Sequence, residues 1–509
     1  MKPVRARRTF TPESRQASAV ALAVAALVLS TSVCAQTVTV VPRVSVSETL
    51  TNNVNLSSTD RKSEQITEVS PGVNVSVNSA RLKTYFDYAL NHVNYAQGTS
   101  DAKNQNALTT FGTFEAVDNR AFIDFAGSIT QQALSPFGPL SNSNTAVNSN
   151  QAEYTAYSVS PYLRGELGRF ASYDARYSYA VSGSDASANT VNNDATVNLR
   201  NASAFGNLGW TAAVSRQRVD FNEGRNTEAD NVSLGLTYRV NPQLNLSANA
   251  GRESSNYDSL EKTNYNTGSV GLNWQPSERT TLSALTGRRS FGNTHSLSFE
   301  HRSARTVWRF TDSQDVTTSP NQAGLGSVGT AFDLFDAQFV GIESDPIARA
   351  QLVNNFLQSY GISPTASVVG EFLLAAASQQ RRQDLSFALL GVRDTVTFLL
   401  TRTQTSRIDT ITNAIDSLTN NDVVTQEGFS VNYSHRLTPD ASLGMLLSRQ
   451  NTSGSTSAQA STLTSVSVNL STKFGRRASG TVSVAHNKYD NQASPYTETA
   501  LRGSLNMQF

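Results

Sequence analysis

The sequence predicts an all-β protein, a transmembrane antiparallel up-and-down β-barrel of about 22 strands with one long, partly helical loop insertion. Three observations predict it. Apolar and polar residues alternate with period two over runs of about ten residues or more, which is the length of a tilted transmembrane strand. Short turns alternate regularly with longer polar segments along the chain. A secretory signal precedes the first alternating run.

The alternation is clearest in two runs. One places apolar residues at every second position between Asn231 and Asn241, and the other does so up to the end of the chain. The apolar positions are Val232, Leu234, Leu236, Tyr238 and Val240 in the first run, and Leu501, Leu505, Met507 and Phe509 in the second. Soluble sandwich strands are usually about five or six residues long, so the length of these runs favours membrane strands.

Short connections, most of them containing Pro or Gly, recur at ten places, with eleven mostly longer polar stretches between them. The ten are Asn78-Ser79, Asp118-Asn119, Gly168-Arg169, Gly206-Asn207, Asn241-Pro242, Pro276-Ser277, Arg302-Ser303, Leu390-Gly391, Thr438-Pro439 and Gly475-Arg476. This arrangement predicts an even strand count, short periplasmic turns and long extracellular loops, as in bacterial outer-membrane barrels. Only closure of such a sheet satisfies its edge peptide groups in lipid. The segment from Gln383 to Thr403 leaves one hairpin ambiguous.

The N-terminal segment predicts export. Four arginines up to Arg15 precede an apolar run from Ala17 to Leu29, which is too short to span a bilayer. We therefore assign residues 1–35 to a signal peptide cleaved after Ala35, and residues 36–509 to the barrel in the outer membrane of a Gram-negative cell. Lipidation of Cys34 and a twin-arginine route through Arg7-Arg8 are less favoured alternatives.

Composition excludes several function classes. The chain carries 41 basic and 40 acidic residues, a net charge of +1, so it has no basic signal for nucleic-acid binding. Its one cysteine lies in the signal segment, and its five histidines are scattered. No metal site, cofactor site, phosphate loop or nucleotide motif is predicted.

The sequence offers little support for catalysis of the kinds found in outer-membrane enzymes. A phospholipase needs Ser, His and Asn on neighbouring strands, and no motif distinguishes such a set here. A rim protease needs clustered Asp and His, for which Asp312 and Asp315 with His295 and His301 are a thin suggestion. The sequence predicts a protein that is not an enzyme.

One loop differs from the rest. Between Ser313 and Gln383 the period-two pattern is lost. Asp345-Pro346 has the form of an N-cap with Pro at the first helical position, and Gly361 can end the helix. Apolar residues recur at helical spacing between them: Ile347, Ala350, Val353, Phe356, Leu357 and Tyr360. A second helix is predicted from Val368 to Ala377.

An apolar helix face needs a surface to cover it, so this insertion is predicted to be a plug in the lumen or a cap over the mouth. Both alternatives remain open. Barrels of about 22 strands enclose a wide interior that is commonly plugged. TonB-dependent transporters have this size but carry a large N-terminal plug domain, whereas alternation begins here near Val40, so that class is disfavoured.

Arginine dominates the basic residues, and several are predicted to face the lumen. Arg305 and Arg309 are opposite in phase to Trp308 and Phe310, and Arg239, Arg402 and Arg502 follow the same pattern. An arginine-lined interior favours anionic solutes or an acidic polysaccharide. The alternative is that these arginines pair with Asp or Glu across strands.

Aromatic residues near the predicted strand ends are typical of interfacial girdles in contact with outer-membrane lipid. The terminal Phe509 on an alternating last strand is similar to the signal that the barrel-assembly machinery recognises. These features predict lipid and the assembly machinery as partners. Oligomeric state is not predicted.

Four segments carry a family resemblance: Ser45 to Val54, Ser135 to Pro139, Ser215 to Val219, and Phe291 to Thr294 followed by Arg305 to Trp308. They resemble the PEP-CTERM system-associated outer-membrane protein family, over essentially the whole mature chain. The resemblance implies a Gram-negative outer-membrane protein associated with exopolysaccharide and exosortase loci. Its Ser135 to Pro139 segment is either a loop pinned inside the barrel or, as we favour here, a plain Pro/Gly turn.

Together these observations predict a channel or scaffold that takes part in exopolysaccharide export, with polysaccharide as a possible partner. The alternative is a structural or adhesive surface protein with a blocked lumen. A soluble secreted β protein is a third and weaker interpretation.

Overall fold

The computed structural model describes residues 37–184, 187–222, 225–317, 332, 335, 336, 339, 343, 345–359, 377–408, 421–456 and 459–509. These residues form one sheet of 22 strands and one helix, α1. The first half of the sheet comprises β1 Thr37–Thr51, β2 Glu64–Asn78, β3 Leu82–Tyr95, β4 Lys103–Val117, β5 Ala121–Ala133, β6 Gln151–Leu167, β7 Ala171–Ser184, β8 Ser187–Phe205, β9 Leu208–Phe221, β10 Thr227–Asn241 and β11 Leu244–Ser255. The second half comprises β12 Thr263–Ser277, β13 Thr280–Arg289, β14 Gly292–Arg302, β15 Thr306–Thr317, β16 Ser378–Leu390, β17 Asp394–Arg407, β18 Val423–Arg436, β19 Ala441–Ser453, β20 Ala460–Lys473, β21 Ala478–Asn491 and β22 Tyr496–Gln508, with α1 (Pro346–Ser359) between β15 and β16.

The sheet closes on itself. Every strand pairs antiparallel with its neighbours in the chain, and β1 pairs with β22 from Arg43 opposite Gln508 to Thr51 opposite Ala500. Closure leaves no strand edge exposed to lipid, where an unpaired peptide group would cost several kcal/mol. The predicted antiparallel barrel of about 22 strands is confirmed.

Ten connections of two to four residues lie at one end of the barrel, close to the ten predicted turns, and at the other end short hairpins such as that between β13 and β14 occur among longer connections. Gly168 and Gly206 have positive φ angles of 60° and 73°, a backbone region that favours glycine. The longer connections lie at the opposite end, which identifies it as the extracellular end. The segment from Gln383 to Thr403, which was ambiguous in sequence, forms the hairpin of β16 and β17.

The two faces of the sheet differ as the alternation predicts. On β10, Leu234 is 67% exposed and lies in phase with Val232 and Leu236 on the outer face. On β1, Ser47 and Thr49 are buried on the inner face. The apolar positions of β10 span about eight residues, or roughly 20 Å along the barrel axis at the usual strand tilt. This is close to the apolar band of outer-membrane barrels, and the protein is such a barrel.

Among the described residues, no helix is both long enough and apolar enough to span a membrane.

The insertion between β15 and β16 is shorter than predicted. The ladder of β15 and β16 extends to the pair Thr317 and Ser378. Residues 313–317 and 378–383, which the sequence predicts to belong to the insertion, therefore belong to the two strands. The period-two pattern does not extend to these ladder ends because most of their outer positions, such as Gln314 and Arg381, carry polar side chains. The insertion therefore spans residues 318–377.

The predicted first helix is confirmed as α1. Asp345 Oδ1 accepts hydrogen bonds from the backbone N–H of Ile347 at 2.8 Å and of Ala348 at 3.0 Å, so Asp345 is the N-cap. Pro346 opens the helix, where its missing N–H costs nothing. The signal segment 1–35, Gly361 and all but the last residue of the second predicted helix (368–377) lie outside the described residues.

The outer face of β10 offers a direct test of the lipid-facing assignment. Leu234→Arg is expected to lower the free energy of unfolding in lipid vesicles by about 2–4 kcal/mol, because a cation then faces hydrocarbon. Urea titration followed by heat-modifiable migration measures the change. Ser233→Arg, its neighbour on the inner face, is the matched control and should change stability by less than about 1 kcal/mol, since its side chain meets the polar lumen.

Candidate functional site: an obstructed lumen

Helix α1 lies inside the barrel. Its buried residues Ala350, Val353 and Leu357 form one apolar cluster with Tyr85 of β3 and Leu399 of β17. Three phenylalanines of the insertion complete the cluster: Phe332, Phe335 and Phe339. Because β3 and β17 are not neighbours in the sheet, the cluster crosses part of the lumen. The sequence leaves open whether the insertion is a plug in the lumen or a cap over the mouth. The described part of the insertion lies in the lumen, as a plug does.

The helix reaches the periplasmic half of the lumen. The Gln351 side chain donates to Ser76 Oγ, which lies near the end of β2 at Asn78. Tyr85 lies near the start of β3 at Leu82, at the same end of the barrel. The described part of the insertion thus lies in the periplasmic half of the lumen, whereas the ends of β15 and β16 that flank the insertion lie at the extracellular end.

A polar contact fixes the other side of α1. Asn354 Nδ2 donates to Asp87 Oδ2 of β3 at 3.4 Å, and Asn74 Nδ2 donates to the same oxygen at 3.0 Å. Asp87 also pairs with Arg43 of β1 through both carboxylate oxygens. The carboxylate is therefore satisfied mainly by the wall, and the helix adds one long hydrogen bond to it. Such a bond contributes little, so the docking of α1 rests mostly on apolar burial.

A second obstruction lies at the extracellular mouth. Residues 134–150, the mouth loop, connect β5 to β6 and fold inward. Leu140 and Ala146 pack against Tyr489 of β21 and Tyr496 of β22, which lie at least five strands away from β5 and β6 around the closed sheet. The favoured interpretation of Ser135 to Pro139 as a plain turn is wrong, because this segment is pinned inside the barrel.

Hydrogen bonds hold the mouth loop in place. The Tyr489 hydroxyl donates to the carbonyl oxygen of Gly138 at 2.6 Å. The side chain of Asn150 closes the base of the loop, accepting from the Ser135 N–H at 2.9 Å and donating to the Ser135 carbonyl at 2.8 Å. A Cβ on Gly138 would lie 2.5 Å from Asn150 Cγ, so a larger residue there would displace the Asn150 amide from the base of the loop.

The predicted lumenal arginines are not all in the lumen. Arg309 lies on the inner face of β15, between the outward Trp308 and Phe310, opposite Glu300 of β14. Arg239 lies on the inner phase of β10 near the periplasmic end. Arg305 belongs to the turn before β15, where its carbonyl accepts from the Leu390 N–H at 2.8 Å.

Arg402 lies on the outer face. It is in phase with Leu400, which is 52% exposed, whereas the adjacent Leu399 is 4% exposed and packs in the lumenal cluster. The sequence does not show which face Arg402 occupies, because Leu399 and Leu400 are consecutive and either of them fits the lipid-facing position. Arg402 pairs with Glu427 of β18 at 3.2 Å on the same outer face.

Inside the barrel, arginines pair with carboxylates of other strands. Arg176 of β7 lies 2.8 Å from Asp124 of β5, and Arg502 of β22 lies 2.9 Å from Glu68 of β2. Arg43 and Asp87 form a third such pair. These contacts favour the alternative in which lumenal arginines are neutralised across strands, rather than a free cationic lining.

Sequence reasoning missed Tyr85, Tyr489 and Tyr496, the large inward aromatics on which the two obstructions rest. Each occupies the inner phase of its strand, where the alternation otherwise places small polar residues. The sequence signal for such a contact is a large aromatic residue at an inward strand position, where the neighbouring inward residues are small and polar.

The described residues contain no group of three or more His, Cys, Asp or Glu side chains placed to hold a metal ion. His295 and Asp312, two of the residues that suggest a rim protease in the sequence, lie 3.0 Å apart on the outer face of β14 and β15. Arg381 and Gln383 both donate to Asp312 as well, at 2.9 Å each, so the carboxylate is fully engaged in hydrogen bonds.

No family model and no curated protein sequence matches the chain. Among solved structures, it is similar to the siderophore receptor PirA from Acinetobacter baumannii, with 9% identity and a TM-score of 0.48 over 92% of this chain and 80% of that one. It is also similar to the FrpB iron transporter from Neisseria meningitidis in its apoprotein form, with 10% identity and a TM-score of 0.48 over 92% and 81%. Similarity at this level carries no argument about function, and the barrel is established by its own strand pairing.

The hold of Tyr489 on the mouth loop is testable. Tyr489→Phe removes the hydrogen bond to Gly138 and is expected to raise the opening equilibrium of the loop about fivefold, corresponding to roughly 1 kcal/mol. Hydrogen exchange of the Val147 amide, which donates to the Val54 carbonyl at 2.9 Å, reports this opening. Tyr433→Phe is the control, because its hydroxyl bonds to Asp394 at the far end of the barrel. Unchanged exchange in Tyr489→Phe would contradict the assignment.

Proposed function

We propose that this outer-membrane barrel is a channel, or a scaffold for one, in the export of an extracellular polysaccharide, with α1 and the mouth loop as movable obstructions. The observation that carries the proposal is that both obstructions are loops of the barrel chain, anchored at both ends to the wall. A tethered plug can leave the lumen and return without dissociating. Membership of the PEP-CTERM system-associated family, which the sequence resemblance implies, is part of the same proposal.

The chemistry of the inner face suits a carbohydrate. Hydroxyl side chains recur at inward positions of strands on separate parts of the wall: Ser47, Thr49 and Thr51 on β1, and Thr397, Thr401, Thr403 and Thr405 on β17. Hydroxyl groups both donate and accept hydrogen bonds, and so can exchange partners with a passing sugar. The arginine–carboxylate pairs contribute both signs of charge, which supports passage of a neutral or weakly charged polymer better than of a strongly acidic one.

A structural or adhesive protein with a blocked lumen is the second candidate. The cluster of α1 favours it, because Ala350, Val353 and Leu357 are fully buried against the wall like a protein core. Burial of this kind stabilises the docked state by several kcal/mol, so a resting barrel is expected to be closed. The two candidates differ in whether removal of the plug leaves a usable pore.

Single substitutions in α1 separate the candidates. Leu357→Asp is expected to weaken docking by about 3–5 kcal/mol, because it loses apolar burial and places a carboxylate in an apolar cluster. Planar-bilayer recordings should then show open events that the natural barrel lacks. Leu352→Asp is the matched control, since Leu352 is 39% exposed on the same helix, and it should stay as quiet as the natural protein.

Deletion of the insertion is a second experiment that separates the two candidates. A barrel in which residues 318–377 are replaced by a short Gly/Ser linker keeps β15 and β16 intact, and a further variant also shortens the mouth loop. Steady conductance in either variant supports a channel, and uptake of dextrans of graded size would give the pore width. Silence in the doubly shortened variant, with normal heat-modifiable migration, contradicts the channel and favours the blocked scaffold.

A further inference from the structure

Polar and charged side chains replace apolar ones at the extracellular end of the outer face. On β17 the outward positions run from Phe398 and Leu400 to Arg402, and on β19 from Met445 and Leu447 to Arg449. The long loops begin a few residues further on. This row therefore lies where the outer-leaflet headgroups meet the barrel, just above the hydrocarbon.

A groove of about 410 Å³ opens on this part of the surface, across β15 to β19. The side chains at its apolar end are Phe310, Leu385, Leu400 and Phe429, which lie next to one another on adjacent strands. Arg402 and Arg449 line its extracellular end. The groove thus changes in polarity along the membrane normal. Its apolar part lies toward the hydrocarbon, and its cationic part lies toward the headgroups.

The two arginines of the groove differ in whether a carboxylate pairs with them. Arg402 pairs with Glu427 at 3.2 Å, with both side chains about half exposed. Arg449 is exposed, and its Nε donates to Asn451 Oδ1 at 3.3 Å. No carboxylate in the described part of the chain forms an ion pair with Arg449. The nearby Asp312 adds little negative field, because Arg381 lies 2.9 Å from it. The extracellular end of the groove therefore carries a surplus cation.

We propose that this groove binds a phosphate-bearing glycolipid of the outer leaflet, lipopolysaccharide, through its lipid A part. Arg449 and Arg402 hold a lipid A phosphate, and an acyl chain lies along Leu400 and Phe429. Arginine suits this role because its planar guanidinium binds phosphate through two parallel hydrogen bonds. A phosphate also competes with Glu427 for Arg402, which is available because that ion pair is exposed and weak.

A second charged cluster on the outer face serves as a control. At the extracellular ends of β9 and β10, Arg216 lies 3.6 Å from Asp230 and 3.9 Å from Glu228. Lys262 lies 2.8 Å from Asp230 and 2.7 Å from Glu228, and these two carboxylates raise the pKa of its ammonium group. Every cation in this set has a carboxylate partner. It matches the groove in height and residue types, but both of its cations lie close to two carboxylates.

The test uses the full barrel purified in a mild detergent, with lipid A as the probe and native mass spectrometry to count bound lipid during titration. Bisphosphorylated lipid A is expected to bind at least tenfold more tightly than its fully dephosphorylated form. Arg402→Gln combined with Arg449→Gln should weaken binding of the bisphosphorylated form at least tenfold. Arg216→Gln should leave it within twofold of the natural protein.

Three results would overturn the proposal. Equal binding of the dephosphorylated lipid would remove the role of phosphate, and this comparison needs no variant to fold. An equal loss in Arg216→Gln would show that surface charge alone attracts the lipid. Displacement of lipid A by millimolar inorganic phosphate would assign the site to the free anion. Partial recovery in Arg449→Lys, which keeps the charge and loses the planar fork, is expected if the arginine binds phosphate directly.

Discussion

The absence of water in the bilayer core is the constraint on which this structure depends. Peptide groups facing hydrocarbon must find partners within the protein, and a sheet achieves this only when its first and last strands meet. The pairing of β1 with β22 is that closure. Once the sheet is closed, the pleat divides side chains between lipid and lumen, and the width of 22 strands leaves an interior that must be filled or wetted.

This protein fills much of that interior with its own loops. Helix α1 lies in the periplasmic half, and the mouth loop packs against part of the wall at the extracellular end. The two obstructions rest on different parts of the wall and share no described contact, so each can in principle move alone. Apolar burial holds α1, whereas the mouth loop combines apolar packing with hydrogen bonds such as that from Tyr489 to Gly138.

The outer surface of the barrel carries charged side chains at the level of the lipid headgroups. Where the wall passes from hydrocarbon to headgroups, its residues must exchange apolar for polar side chains, and arginine is a natural choice opposite phosphate. Most charges at this height are paired within the wall, as around Arg216 and Lys262. The surplus at Arg449 lies next to an apolar groove, and it is independent of whether the lumen conducts.

The sequence by itself determined the elements that depend on local rules. Period-two alternation set the strands and their two faces, turn residues set the ten periplasmic connections, and Asp345-Pro346 set the start of α1. Tertiary structure alone decided what depends on contacts between distant strands. Leu399 and Leu400 are equivalent in the sequence, and only the docking of α1 against Leu399 shows that Leu400, and with it Arg402, faces outward. The inward path of Ser135 to Pro139 likewise depends on Tyr489 and Tyr496, which follow it by more than 300 residues. Local preferences are encoded within a few residues, whereas the filling of a lumen is a property of the closed barrel.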